Sequence, residues 1–225
     1  MSALNQTVIT WASGQAGKQV DAGECWDLAN RALIKAGANT SSDLGPTGAD
    51  DDYIWGTEVD SKDAIPGDVL QYRDYEMTTT TSTDVTFSDD SGWTDAQTAS
   101  IGRPHHTAIV SRNPGAGALT VLEQNYLGNK EKVKSTAIRW KDAPTKQTTT
   151  KKMMKRKDNG KTELATVIFT IEVTVSGTIS CGVCGPARRS CSFSTTGKRC
   201  LNASVRDIAP SALVSAGGLN DSSSA

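Results

Sequence analysis

Gly23-Glu24-Cys25-Trp26-Asp27-Leu28-Ala29-Asn30-Arg31-Ala32-Leu33-Ile34-Lys35-Ala36-Gly37 is the stretch on which the fold turns. Cys25, Leu28, Ala29, Ala32, Leu33 and Ala36 recur at the spacing of one helical face. The pattern predicts a helix over about 22–36. Asp21 followed by Glu24 reads as a capping-box variant, Gly37 as the stop, and Asp27 with Arg31 as an i,i+4 pair. Cys25 then falls in the first turn. The positive end of a helix favours thiolate over thiol, and thiolate is the nucleophile. A buried cysteine that merely packs on an apolar face would show the same spacing, so the rest of the chain must separate the two readings.

The chain has 225 residues, enough for one sizeable domain with extensions. A net charge of −1 gives no global polyelectrolyte argument for nucleic acid. Mean hydropathy is −0.40, polar for a globule, which predicts some loop or disordered mass. No apolar run is long enough to span a membrane, and none at the N-terminus resembles an export signal. Four of the five cysteines lie in 181–200, so the main body is no disulfide scaffold, and a reducing, cytoplasmic setting is the expectation.

Residues 3–15 read as a short helix and 38–64 as an acidic loop. Val69-Leu70-Gln71-Tyr72 reads as a strand after the turn signal Ile65-Pro66-Gly67-Asp68. Residues 77–104, rich in Thr, Ser and Asp, are expected to form a long structureless insertion: a lid, a binding loop or disorder. The strands His106–Val110 and Leu119–Asn125 form the clearest hairpin. A type II′ turn at Gly115-Ala116 would pair Val110 with Val121, Ala108 with Glu123 and His106 with Asn125. His106, Glu123 and Asn125 would then share a face. Residues 132–140 and 166–179 read as further strands, and 146–161 as a basic loop that is either solvated or faces an acidic or phosphate-bearing partner.

The two histidines are adjacent, His105 and His106. A cysteine nucleophile needs a base that takes its proton and returns it to the leaving group, and that base needs an orienting acceptor. Cys25, His106, and Glu123 or Asn125 supply those parts in that order. Strand alternation selects His106 over His105. Gln19 is the candidate oxyanion donor.

Cys-Trp-Asp-Leu-Ala, Pro-Gly-Asp-Val-Leu-Gln-Tyr, His-Thr-Ala-Ile-Val and Val-Leu-Glu-Gln-Asn resemble the CHAP and NlpC/P60 cysteine amidase-peptidases. With Gly-Lys-Gln-Val and Arg-Pro-His-His, they resemble in particular the cysteine-proteinase-fold domain of fungal cortical actin-patch (myosin-tail-region-interacting) proteins. The resemblance covers roughly residues 8–179. It implies an α+β, papain-like fold with the nucleophile helix packed on an antiparallel sheet. It also implies Cys25 as nucleophile, His106 as base, and Glu123 and Asn125 at the orienting positions. The aromatic-Tyr-Arg-Pro ending of that family is replaced by Cys181-Gly182-Val183-Cys184.

Two functions follow as expectations. One is a cysteine-dependent peptidase, amidase or acyl transferase acting on a peptide or amide substrate. The other is a non-catalytic papain-like interaction module with cytoskeletal or endocytic partners at cortical actin patches. A wall-lysing role, implied by CHAP likeness alone, is opposed by the missing export signal. No cofactor, metal, nucleic-acid partner or membrane span is expected. The domain is expected to end near residue 180. The 181–225 tail should be disordered, and its Cys181, Cys184, Cys191 and Cys200 are spaced too unevenly for a zinc knuckle.

Overall fold

The computed structural model describes residues 1–185. Three helices come first: α1 (Ala3–Ser13), α2 (Cys25–Ala36) and the single turn α3 (Ser41–Leu44). Seven strands follow: β1 (Thr57–Val59), β2 (Val69–Thr86), β3 (Gly92–Gly115), β4 (Ala118–Glu123), β5 (Lys134–Arg139), β6 (Ala143–Lys155) and β7 (Thr162–Val183). They make one antiparallel sheet in the order β1-β7-β2-β3-β4-β5, with β6 also on β7.

The helix carrying Cys25 starts three residues later than its apolar spacing suggests. Glu24, extended at φ −79°, is the N-cap, and its backbone N–H donates to the Asp27 carboxylate at 3.0 Å. Asp27 is therefore occupied at the cap, and Arg31 pairs with Asp21 instead of Asp27. Gly37 ends the helix in the left-handed conformation, φ 66°.

The central strands are buried on both faces, which is why they read as continuous apolar runs. Val69, Ile109 and Leu122 pack with Val8, Leu28, Ala32 and Leu33 of the helices. Their strand neighbours Leu70, Ala108, Val110 and Val121 face the other way, toward Tyr72, Leu119, Ile138 and Cys181.

Three expectations are corrected. Residues 77–104 are no loop: β2 and β3 pair continuously from Val69↔Ile109 to Thr86↔Gly92. Their Thr-rich sequence lacks apolar alternation, yet Thr is β-branched and suits a solvated sheet. The basic stretch is likewise mostly strand, since β6 pairs β7 from Ala143↔Val173 to Lys155↔Thr162. Together β6, β7, β2 and β3 make a four-stranded blade beyond the helical layer. A small core of Val85, Phe87, Ala165 and Val167 sits at its tip. The hairpin turn is also shifted. Val110 pairs with Val121 as expected, but two irregularities move the turn to Ala116-Gly117. Both residues have positive φ (52° and 81°), the type I′ signature.

The chain does not leave the domain at residue 180. β7 runs to Val183, pairing Cys181 with Val59 and Leu70, and Cys184 packs in the helical core. Cys191, Cys200 and the expected disorder of the tail lie outside the described residues. Among the described residues no helix is long and apolar enough to cross a membrane.

Candidate functional site

Cys25 is the first residue of α2 and is partly exposed. The loop before it is held by Gln124, the fully buried residue after Glu123 at the end of β4. The Gln124 side chain accepts from the Val20 N–H at 3.0 Å and donates to the Val20 and Glu24 carbonyls at 3.2 and 2.5 Å. One side chain thus fixes both ends of the turn leading into the helix that carries Cys25. Strand alternation sends its neighbour Glu123 the other way.

Glu123 is completely buried and meets two side chains, Arg103 and His106. Arg103 clamps it through two hydrogen bonds, Nε to Oε2 at 2.9 Å and Nη2 to Oε1 at 2.7 Å. His106 Nε2 lies 3.1 Å from Oε2. The His106 side chain also hydrogen-bonds Cys25. The Tyr72 ring, 5.8 Å from the imidazole, backs it from the sheet.

The electrostatics are mutual. Burial would raise the Cys25 pKa, but the hydrogen bond and charge of His106, with the backbone N–H groups of Thr107 and Trp26, lower it overall. Burial would lower the His106 pKa, but Cys25 and Glu123 raise it. Burial opposes ionisation of Glu123 as well, yet hydrogen bonds from His106 and Arg103 bring its pKa down to about 2. The arrangement favours a thiolate–imidazolium pair over a carboxylate.

Of the residues expected at the site, the fold brings Cys25, His106 and Glu123 together. Asn125 is elsewhere: its side chain donates to Glu24 Oε2 at 2.7 Å and accepts from the Lys130 N–H at 2.7 Å. It adopts φ 56°, outside β4, and so loses the strand alternation that would have aimed it at His106. The Gln19 amide donates to the Asp21 carbonyl at 3.4 Å and lies over Gly23. A Cβ at Gly23 would come within 2.9 Å of that amide, so a side chain there would displace it. His105 points away, its Nε2 2.7 Å from the Asp51 carbonyl and its ring against Tyr53 at 5.3 Å. Tyr53, Trp55 and Trp26 continue from it as a chain of ring contacts leading to the residue beside Cys25.

Arg103 and Gln124 were not expected. Arg103 falls within the Arg-Pro-His-His stretch of the resemblance, but on residues that read as loop, which assigns it no contact with Glu123. Gln124 is conspicuous only as a polar residue inside Val-Leu-Glu-Gln-Asn. Elsewhere, Cys181 and Cys184 are buried thiols, and burial pushes Cys184 up to about 12 and Cys181 well above its ordinary range. Among the described residues no cluster of three His, Cys, Asp or Glu side chains could hold a metal ion.

A helix-borne cysteine thus faces a sheet-borne histidine and carboxylate. Residues 2–143 match the AIM3/BBC1 cysteine proteinase-fold domain, and the chain belongs to that family. That span holds Cys25, Arg103, His106, Glu123 and Gln124, and stops where β6 begins. Among curated proteins the chain is similar to altered inheritance of mitochondria protein 3 of Debaryomyces hansenii, 32% identical over 146 residues. The match takes in 60% of this chain but only 14% of that protein. No solved structure matches.

Proposed function

We propose that the domain carries out cysteine-dependent acyl transfer on a peptide or amide bond, hydrolysis being transfer to water. The observation that carries this reading is the relay from the partly exposed Cys25 through the buried His106 to the buried Glu123. The Cys25 thiolate attacks the carbonyl carbon. The amide C–N bond breaks as the thioester forms, and His106 gives its proton to the departing amine. His106 then takes a proton from water or an acceptor amine, which attacks the thioester and frees the thiolate. Glu123 keeps the imidazole oriented and offsets its charge throughout.

A second reading is an interaction module within a longer protein, in the cortical actin or endocytic setting that the sequence resemblance suggests. Two observations favour it. The chain spans only 14% of the length of its Debaryomyces hansenii relative, and the half-buried rings of Trp26 and Tyr53, backed by the buried Trp55, offer a rigid wall for a bound peptide beside Cys25.

A thiol-directed amide-hydrolase probe separates the two. Catalysis predicts selective labelling of the folded chain at Cys25, lost in Cys25→Ser and His106→Ala and retained in His105→Ala. Labelling no faster than that of a free peptide thiol would leave the interaction module as the reading.

A further inference from the structure

The two edges of the blade are treated differently. The β6 edge, Ala143–Lys155, carries Pro144, Lys146, Lys151, Lys152 and Lys155 and no acid. Lysine and proline on an edge are the usual devices that stop a strand from pairing with another chain. The opposite edge is β3. Below Ile109, where β4 begins to pair with it, β3 is hydrogen-bonded on one side only, to β2. Its segment Ala96-Gln97-Thr98-Ala99-Ser100-Ile101-Gly102 has no charge and no proline, and all but Ile101 are exposed. Asp95 and Arg103 bound it. Among the described residues nothing covers this edge.

We propose that β3 residues 96–102 pair antiparallel with the same segment of a second copy, joining two blades into one continuous sheet across a two-fold axis at Ala99. The segment is compatible with itself. Pairing about Ala99 sets Thr98 opposite Ser100 of the second copy, and Gln97 opposite Ile101, with no charge facing a like charge. That Thr–Ser pairing already exists within the blade. Thr78 and Ser100 share a hydroxyl hydrogen bond at 2.9 Å, and Thr80 and Thr98 one at 3.2 Å. A hydroxyl both donates and accepts. The ladder Thr78–Ser100 therefore continues into Thr98–Thr80 of the second copy without a break. The same edge-to-edge contact through β6 would set lysine against lysine. A free, uncharged, self-matching edge opposite a guarded one is an interface for strand addition.

Sedimentation of the full chain under reducing conditions, over about a hundredfold range of concentration, tests this by mass action. The parent is expected to shift with concentration from the 23.8 kDa monomer toward twice that mass. The Thr98→Lys/Ser100→Lys variant should stay monomeric and lose the rise of thermal midpoint with concentration that association gives the parent, and Thr148→Lys on the β6 edge should associate like the parent. Hydrogen exchange reads the same contact without substitution: amide protection within 96–102 should rise with concentration. A parent that stays monomeric throughout, association that survives the double lysine variant, loss of association in Thr148→Lys, or protection at 96–102 that does not change with concentration would each overturn the proposal.

Discussion

Arg103 and Glu123 form a two-point ion pair with both side chains out of solvent, 4% and 0% exposed. The pair is costly to bury and worse to break, because a lone carboxylate or guanidinium would remain inside the protein. Arg103→Met is therefore expected to lower stability by about 3–5 kcal/mol. It should also raise the Glu123 pKa and, through it, weaken the hold on the His106 imidazolium. Denaturant unfolding reads the first effect. The pH profile of Cys25 alkylation reads the second, its midpoint moving upward. A variant that loses stability yet keeps the parental alkylation profile would show that Arg103 only supports the fold.

Acid should unfold this domain partly through Glu123. Its pKa in the folded chain is depressed to about 2. A depressed carboxylate contributes stability that is present above its unfolded value and is lost as pH falls toward the folded one. The window is thus from about pH 4.5 down to about 2, and the group's share is on the order of 3 kcal/mol. His106 has the opposite sign. Its raised pKa contributes stability below its unfolded value, which is lost as pH rises through the folded one. Unfolding curves from pH 2 to 5 should be steeper in the parent than in Glu123→Gln. Parallel curves would remove Glu123 from the acid limb.

The helical half and the Cys25–His106–Glu123 cluster are legible because their signals are local. Cys25 sits in a strong 3.6-residue pattern, and His106 and Glu123 border short apolar runs whose Val110–Val121 pairing the structure reproduces. Asn125 lies two residues past the end of β4, where a positive φ breaks the alternation that would align it with His106. The blade was invisible for another reason. Its strands are solvated on both faces over much of their length, so no alternation marks them, and Thr-rich runs look like linkers. Arg103 was lost with it, since its role depends on β3 extending through a stretch that reads as loop.

The blade tip depends on Arg156. It pairs with Asp89, Asp158 and Glu163, donates to the Ser91 hydroxyl at 2.7 Å and lies 4.7 Å from the centre of the Phe87 ring. It ties the β2–β3 turn to the β6–β7 turn. Arg156→Ala should open both turns to limited proteolysis near 87–91 and 156–161, while alkylation of Cys25 stays at the parental rate. A parallel loss of Cys25 reactivity would show that the blade and the site are coupled.

Gln124 offers the sharpest separation of position from charge. Its amide satisfies three backbone groups of the 20–24 turn and touches none of the titrating side chains. Gln124→Met keeps the volume but leaves the buried Val20 N–H without its acceptor, which costs about 1–3 kcal/mol. The turn before Cys25 should then open locally. Hydrogen exchange at the Val20 amide should accelerate more than exchange in the sheet core, because the loss is confined to one turn. The Cys25 alkylation rate should fall because the thiol is less well placed over His106. Its pH midpoint should move little, since His106, Glu123 and Arg103 keep their contacts. The Arg103 variant should do the reverse, shifting the midpoint with a smaller effect on the plateau rate. If Gln124→Met instead moves the midpoint as far as Arg103→Met does, the 20–24 turn helps set the thiolate's charge state as well as its position.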